Sequence, residues 1–334
     1  MVGNDERILA FLSQLHETPA REGLEATLRT DRRFPSARSI YRWHDRLGVR
    51  LTYFPAISYS ALGLATVHVI VDSPRGAWDQ CPYAVAGKWM TTGTRRLLYL
   101  RCLIPREHVA IVCERLHAYA SRQGTHCEII PTADALHTFL GDGSRASVAI
   151  SALSLPTTSP FIIPVIAEMA EHRRSLTETW ERIYRRVGEQ VHVYLKRRRV
   201  NVTNGKAYVQ QAMAALIAAH TVSTHVIRYE PLNEGSVEAT ILTHAADDLL
   251  GVLGSHALCT DTFPQIERGA LLIARVTLQG LKELLASSQA QIIGFADDLA
   301  NTAAPISPRW AYEELFDPQK GWRLPTTIIP EEYP

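Results

Sequence analysis

The chain has 334 residues, 46% hydrophobic and 21% charged, with 35 Lys and Arg against 34 Asp and Glu for a formal charge of +1. At about 150 residues per domain this length implies two or more cores, and the composition excludes a disordered chain. A near-neutral balance leaves nucleic-acid binding only to local concentrations of charge. The five cysteines, Cys81, Cys102, Cys113, Cys127 and Cys259, are odd in number and form no C-x-x-C pair. That spacing argues against a disulfide framework and against a zinc site, so reduced thiols are expected. With no apolar leader and no long apolar run, the expectation is a cytoplasmic protein without a membrane partner.

Residues 5–16 place Ile8, Leu9, Phe11, Leu12 and Leu15 on a helical stripe, and residues 20–29 repeat it more weakly. A turn at Thr30 to Pro35 follows, and Ser36 caps a third helix that Gly48 ends. On that helix Ala37, Ile40, Tyr41 and Leu47 share one face, whereas Ser39, Arg42, Trp43 and Arg46 share the other. A compact three-helix unit with an outward basic and aromatic face is what a helix-turn-helix reader of duplex DNA requires. The competing reading is a small helical unit with a solvated charged face.

Beyond Gly48 the texture changes to β-rich runs at Val49 to Phe54 and Leu64 to Val71. Residues 76–89 read as a helix whose start Pro82 obscures, and Leu97 to Ile104 as a strong strand. Pro105 then opens a helix from Arg106 to Arg122, and Thr125 to Ile130 is a further strand. If residues 88–92 add a strand, the order matches the split β-α-β unit of ferredoxin-like domains.

The segments SARSIYRWHDRLGV (36–49), YFPAISYSALGLATVHVIVD (53–72) and TTGTRRLLYLRCLIPREHVAIVCERL (91–116) carry a resemblance. In order, they resemble the Lrp/AsnC, or feast/famine, family of transcription regulators, over about residues 5–132. The shared marks are a Leu-Gly after the reader helix, a Leu-Gly-Leu step into the effector domain, and a Thr-Gly before its second hairpin. The resemblance implies a winged helix-turn-helix followed by a ferredoxin-like effector domain, duplex DNA as partner, and an amino-acid-like effector near Thr92, Gly93 and Thr94. The turn before the third helix is longer and more basic than that pattern, and residues 73–90 carry unusual Pro, Trp and Cys.

The second half reads as a diverged copy. A Ser/Thr/Pro-rich linker near 155–160 precedes three further helical segments, the second opened by the capping box Ser175 to Glu178. From Arg173 to Lys206 there are ten Lys and Arg against three Glu, a density that would release counterions from DNA. A KRRR run is also a common solvated helix end. Next come a helix at 207–220, strands at 224–230 and 236–243, a helix at 247–253, a strand at 270–276, a helix at 278–287 and a strand at 291–295. The Pro- and Trp-containing last thirty or so residues read as an irregular tail packed by its aromatics.

Catalytic motifs are missing: there is no H-x-x-x-H with a carboxylate, no G-x-G-x-x-G, no phosphate-binding loop and no G-x-S-x-G. The thirteen histidines are scattered, and Asp247-Asp248 and Asp297-Asp298 are adjacent pairs that point to different sides of a helix.

The expectation is therefore an α+β protein: a winged helix-turn-helix at 1–55, a ferredoxin-like domain at 56–150, a second basic helical module at 158–206, a second ferredoxin-like domain at 207–300, and a tail at 301–334. It would be a non-enzymatic, sequence-specific transcription regulator without metal or cofactor, a homo-oligomer in which one chain already mimics a dimer. Ser36, Ser39, Arg42, Trp43 and Arg46 would face the groove, and Arg32, Arg33, Arg38 and Lys196, Arg197, Arg198, Arg199 would meet phosphates. The alternative comes from proteins similar to Lrp/AsnC regulators, the siroheme decarboxylases, which bind a tetrapyrrole between sheets of this type. Arg95, Arg96, Arg101 and His126 would then hold its propionates.

Overall fold

In a computed structural model the described residues are 49–60, 63–139, 145–146, 181, 222–231, 235–265, 269–297, 316–317 and 321–329. The expected DNA-contacting residues Arg32, Arg33, Ser36, Arg38, Ser39, Arg42, Trp43 and Arg46, and Lys196 to Arg199, lie outside them. The described chain is mixed α+β, with open, many-stranded antiparallel sheet and few helices. Two compact units are present, one built on Tyr59–Pro131 with the residues from Asp297 onward, the other on Val222–Ala296 with Thr132–Ala149 and the residues up to Ser58.

Strand β1, Val49–Ile57, belongs to the second of these units. The 59–131 unit begins with β2, Leu64–Asp72, followed by a 3-10 turn at Trp78–Gln80 and by β3, Ala84–Thr92. Strand β4, Arg95–Pro105, leads through a second 3-10 turn into α1, Val109–Arg122, and then β5, His126–Thr132. The strand order is β5-β2-β4-β3. Helix α1 turns Val112, Leu116, Tyr119 and Ala120 inward at helical spacing. Gly124 at φ +63 ends it in the left-handed region, where a Cβ would be strained.

The expected helix at 76–89 is instead one 3-10 turn and a strand. Trp78 is buried edge-on against Tyr119, which accepts a hydrogen bond from the Ala77 backbone N–H, so the connector is pinned after a single turn. From Ala84 onward the ladder to β4 fixes the chain as strand, and Ala84, Val85 and Ala86, good helix formers among them, are overridden by tertiary pairing.

In the other unit the elements are β6, Leu136–Phe139; β7, Arg145–Ala146; β8, Val222–Pro231; β9, Ser236–Thr243; α2, Ala246–Leu253; β10, Ala257–Pro264; β11, Ala270–Thr277; α3, Leu278–Ala286; and β12, Ala290–Ala296. Their order is β12-β9-β11-β10-β6-β7. The Thr277 side chain caps α3 by accepting from the Gly280 N–H at 3.2 Å. Leu249, Leu250 and Leu253 of α2 and Leu284 of α3 close over Ala239, Ile241, Leu272, Ala274 and Val276 in one apolar core. Strand β10 was not foreseen, and the strand expected at 224–230 belongs to a separate two-stranded sheet, where β8 pairs antiparallel with β1.

The tail adds β13, Phe316–Asp317, and β14, Gly321–Trp322. Within the 59–131 unit it is anchored by Arg115, whose guanidinium donates to the carbonyls of Pro325 at 2.8 Å and Thr326 at 3.3 Å, and by buried Ile328 and Ile329. Among the described residues no helix is long and apolar enough to cross a membrane.

Candidate functional site

Alternation along a strand sends neighbouring residues to opposite faces of the sheet. In the 59–131 unit one face meets α1: Cys127 of β5 lies 3.4 Å from His117 of that helix, and Cys102 of β4 is close enough to Cys113 to be perturbed by it. The other face therefore carries Tyr99 and Arg101 of β4, with His68 of β2 directly opposite Arg101 and Lys88 of β3 directly opposite Tyr99.

These four side chains form one polar cluster. His68, fully buried, has its Nδ1 2.7 Å from the Tyr99 hydroxyl. The Lys88 ammonium stands 4.9 Å from the centre of the Tyr99 ring, within cation–π range. Arg101 is half-buried, and its Nε is shut from solvent with no hydrogen-bond partner. A buried donor left without a partner is costly, and the planar fork of Arg suits a carboxylate.

Of the four residues assigned to propionates in the alternative reading, Arg101 lies at the heart of this cluster. Arg95 shares its face but sits at the hairpin end, paired with Asp72 at 3.0 Å. Arg96 points to the opposite face, stacked 4.1 Å over the Trp89 ring. His126 is exposed at the start of β5. Thr92, Gly93 and Thr94, expected to hold an effector, form the turn between β3 and β4, where Gly93 has φ +57. His68, Tyr99 and Lys88 were missed. The available signal was the occurrence of polar residues two apart inside otherwise apolar strands, as in LYLRCLI.

The face of the 222–296 unit away from α2 and α3 also carries charged residues. Glu238 and Arg275 are opposed across β9 and β11, and His137 of β6 lies opposite Asp261 of β10, with Nδ1 and Oδ1 2.7 Å apart. All five cysteines are free thiols. Cys102 hydrogen-bonds to Cys81, which raises the Cys102 thiol well above its ordinary value and lowers that of Cys81. Burial pushes Cys127 up to about 11 and also raises Cys113. Among the described residues no group of His, Cys, Asp or Glu is arranged to hold a metal ion.

The geometry defines a class: an antiparallel sheet that carries, on its face away from α1, two cations, a phenol and an imidazole, the kinds of group that bind carboxylates. No family model and no curated protein sequence matches the chain. Two solved structures do, both of siroheme decarboxylase NirDL. One matches with TM-score 0.46 and 12% identity over 91% of this chain and 97% of the other. The second, in complex with an iron-uroporphyrin III analogue, matches with TM-score 0.42 and 12% identity over 81% of each. At that identity the likeness is one of fold.

These structures correct the reading as an Lrp/AsnC regulator. The solved structures that match are of siroheme decarboxylase NirDL and not of a transcription regulator, so the readings as a sequence-specific transcription regulator, as non-enzymatic, and with duplex DNA and an amino-acid effector as partners are withdrawn. The physical reason lies in the marks that carried the resemblance. Gly63 and Gly93 have φ of +74 and +57, so these glycines report sharp turns that the topology demands. Marks of topology say nothing about chemistry, which resides in side chains on the sheet face.

Proposed function

We propose that the chain is an enzyme of the siroheme-decarboxylase type, acting on a tetrapyrrole that bears carboxylate side arms. The single observation that carries this reading is the unpartnered Nε of Arg101 among Lys88, Tyr99 and His68 on the sheet face away from α1. Arg101 and Lys88 would bind one carboxylate arm, and the apolar neighbours Ile70 and Met90, which share that face, would contact the ring. Any iron in the ring belongs to the substrate.

We read each unit as a ferredoxin-like sheet and the two as a tandem repeat, each preceded by a winged helix-turn-helix. Numbering the four strands of each unit in sequence, β5-β2-β4-β3 and β12-β9-β11-β10 both give the order 4-1-3-2. In the 59–131 unit the first crossover helix is reduced to Trp78–Gln80. Each third strand carries an arginine on the face away from its unit's helices, Arg101 and Arg275, and the strands leading into the two units, β1 and β8, pair with each other.

Decarboxylation breaks the bond to the carboxyl carbon, releases CO2, and leaves an electron pair that takes up one proton. The test is to incubate the purified protein with siroheme under anoxic conditions and follow the product by mass spectrometry. Loss of CO2 from the macrocycle is expected, and recovery of unchanged siroheme at stoichiometric enzyme would refute the activity.

A further inference from the structure

Resting on that reading, we propose that Tyr99 is the proton donor to the carbon that loses CO2, and that His68 is a positioning residue that holds the phenol. Two contacts converge on this one side chain. His68 Nδ1 lies 2.7 Å from the hydroxyl, the Lys88 ammonium lies 4.9 Å from the ring centre, and Arg101 follows two residues later on the same face. Tyr99 thus adjoins the guanidinium that would hold the carboxylate, which brings the proton source and the departing group to one place.

The chemistry follows from the charges. As the C–C bond breaks, its electron pair collects the proton from the Tyr99 hydroxyl, and negative charge passes to the phenol oxygen. Lys88 and Arg101 stabilise that charge, most strongly in a site closed to water, where electrostatic terms are least screened. A proton from water restores the phenol once the product has left, and the His68 imidazole keeps the ring in place throughout. One proton is consumed for each CO2 released, and no oxidant or reductant enters.

Tyrosine makes these roles separable. Tyr99→Phe removes the transferable proton and keeps the ring that Lys88 covers, so binding of iron-uroporphyrin III, read from the Soret band, should stay within about threefold of the parent. Single-turnover decarboxylation should fall by roughly 10² to 10⁴, the usual contribution of a positioned general acid. His68→Asn should lower single-turnover decarboxylation less, with binding of iron-uroporphyrin III again within about threefold of the parent.

Wild-type turnover in Tyr99→Phe with binding intact, or wild-type turnover in His68→Asn, would overturn this inference and leave the tetrapyrrole reading standing. A parent protein that neither binds nor decarboxylates the tetrapyrrole would remove the reading itself.

Discussion

His137 and Asp261 face each other across the β6–β10 ladder with Nδ1 and Oδ1 2.7 Å apart, their side chains only 10% and 8% exposed. A charge-assisted bond so far from water ties β6 to the 222–296 sheet more firmly than a four-residue ladder alone. Asp261→Ala strands the imidazole without that carboxylate and should destabilise the protein by about 3 kcal/mol. Asp261→Asn, which keeps an acceptor, should cost less. Urea unfolding measures both, and equal stability of parent and Asp261→Ala would contradict the assignment.

Gly269 closes the β10–β11 hairpin, accepting from the Gln265 N–H at 2.9 Å with φ +91. A Cβ there would stand 2.5 Å from the Thr243 carbonyl oxygen, a backbone atom that cannot swing away. Gly269→Ala should therefore cost about 1–3 kcal/mol. Gly63, with φ +74 but open space around it, should cost less when replaced by alanine. Comparing the two melting temperatures checks the difference.

Burial holds the Cys127 thiol at about 11, against an ordinary 9.0 in the unfolded chain. The folded state therefore keeps a proton that the unfolded state releases between these values. The resulting stability is fully present below pH 9.0 and is lost as pH rises through about 11. Denaturation midpoints should fall over that window, and Cys127→Ala should flatten the decline. In the native protein at pH 8 this thiol should resist alkylation, whereas urea should expose all five cysteines.

The elements legible in the sequence were those whose burial follows a clean period. Leu97 to Ile104 reads as a strand because it is apolar on both faces, and Leu278 to Ala286 as a helix because Thr277 caps it and Leu281 and Leu284 turn inward. Strand β3 was illegible because Ala84 to Ala86 have no local preference for extension and Gly87 hides the alternation; only pairing with β4 decides. Strand β10 was hidden by Thr260, Asp261 and Thr262, polar residues that the fold nevertheless buries.

The site was half legible. Arg101 was singled out for its charge, but its partners come from β2 and β3, some 33 and 13 residues away, and no local pattern joins them. His68 inside LATVHVIV reads as one polar interruption of a buried strand until the register sets it opposite Arg101. The topology marks were legible from their glycines, but a sharp turn at Gly63 or Gly93 reports the path of the chain and not its chemistry.

The most direct test of the central claim, that the face of the 59–131 unit away from α1 binds carboxylates of a tetrapyrrole through Arg101, is a Soret titration with iron-uroporphyrin III. Parent protein should bind the ligand, and Arg101→Ala should bind it roughly 10- to 100-fold more weakly, the loss expected for one charge-assisted contact. Unaltered affinity in Arg101→Ala, or no binding by the parent, would contradict the account.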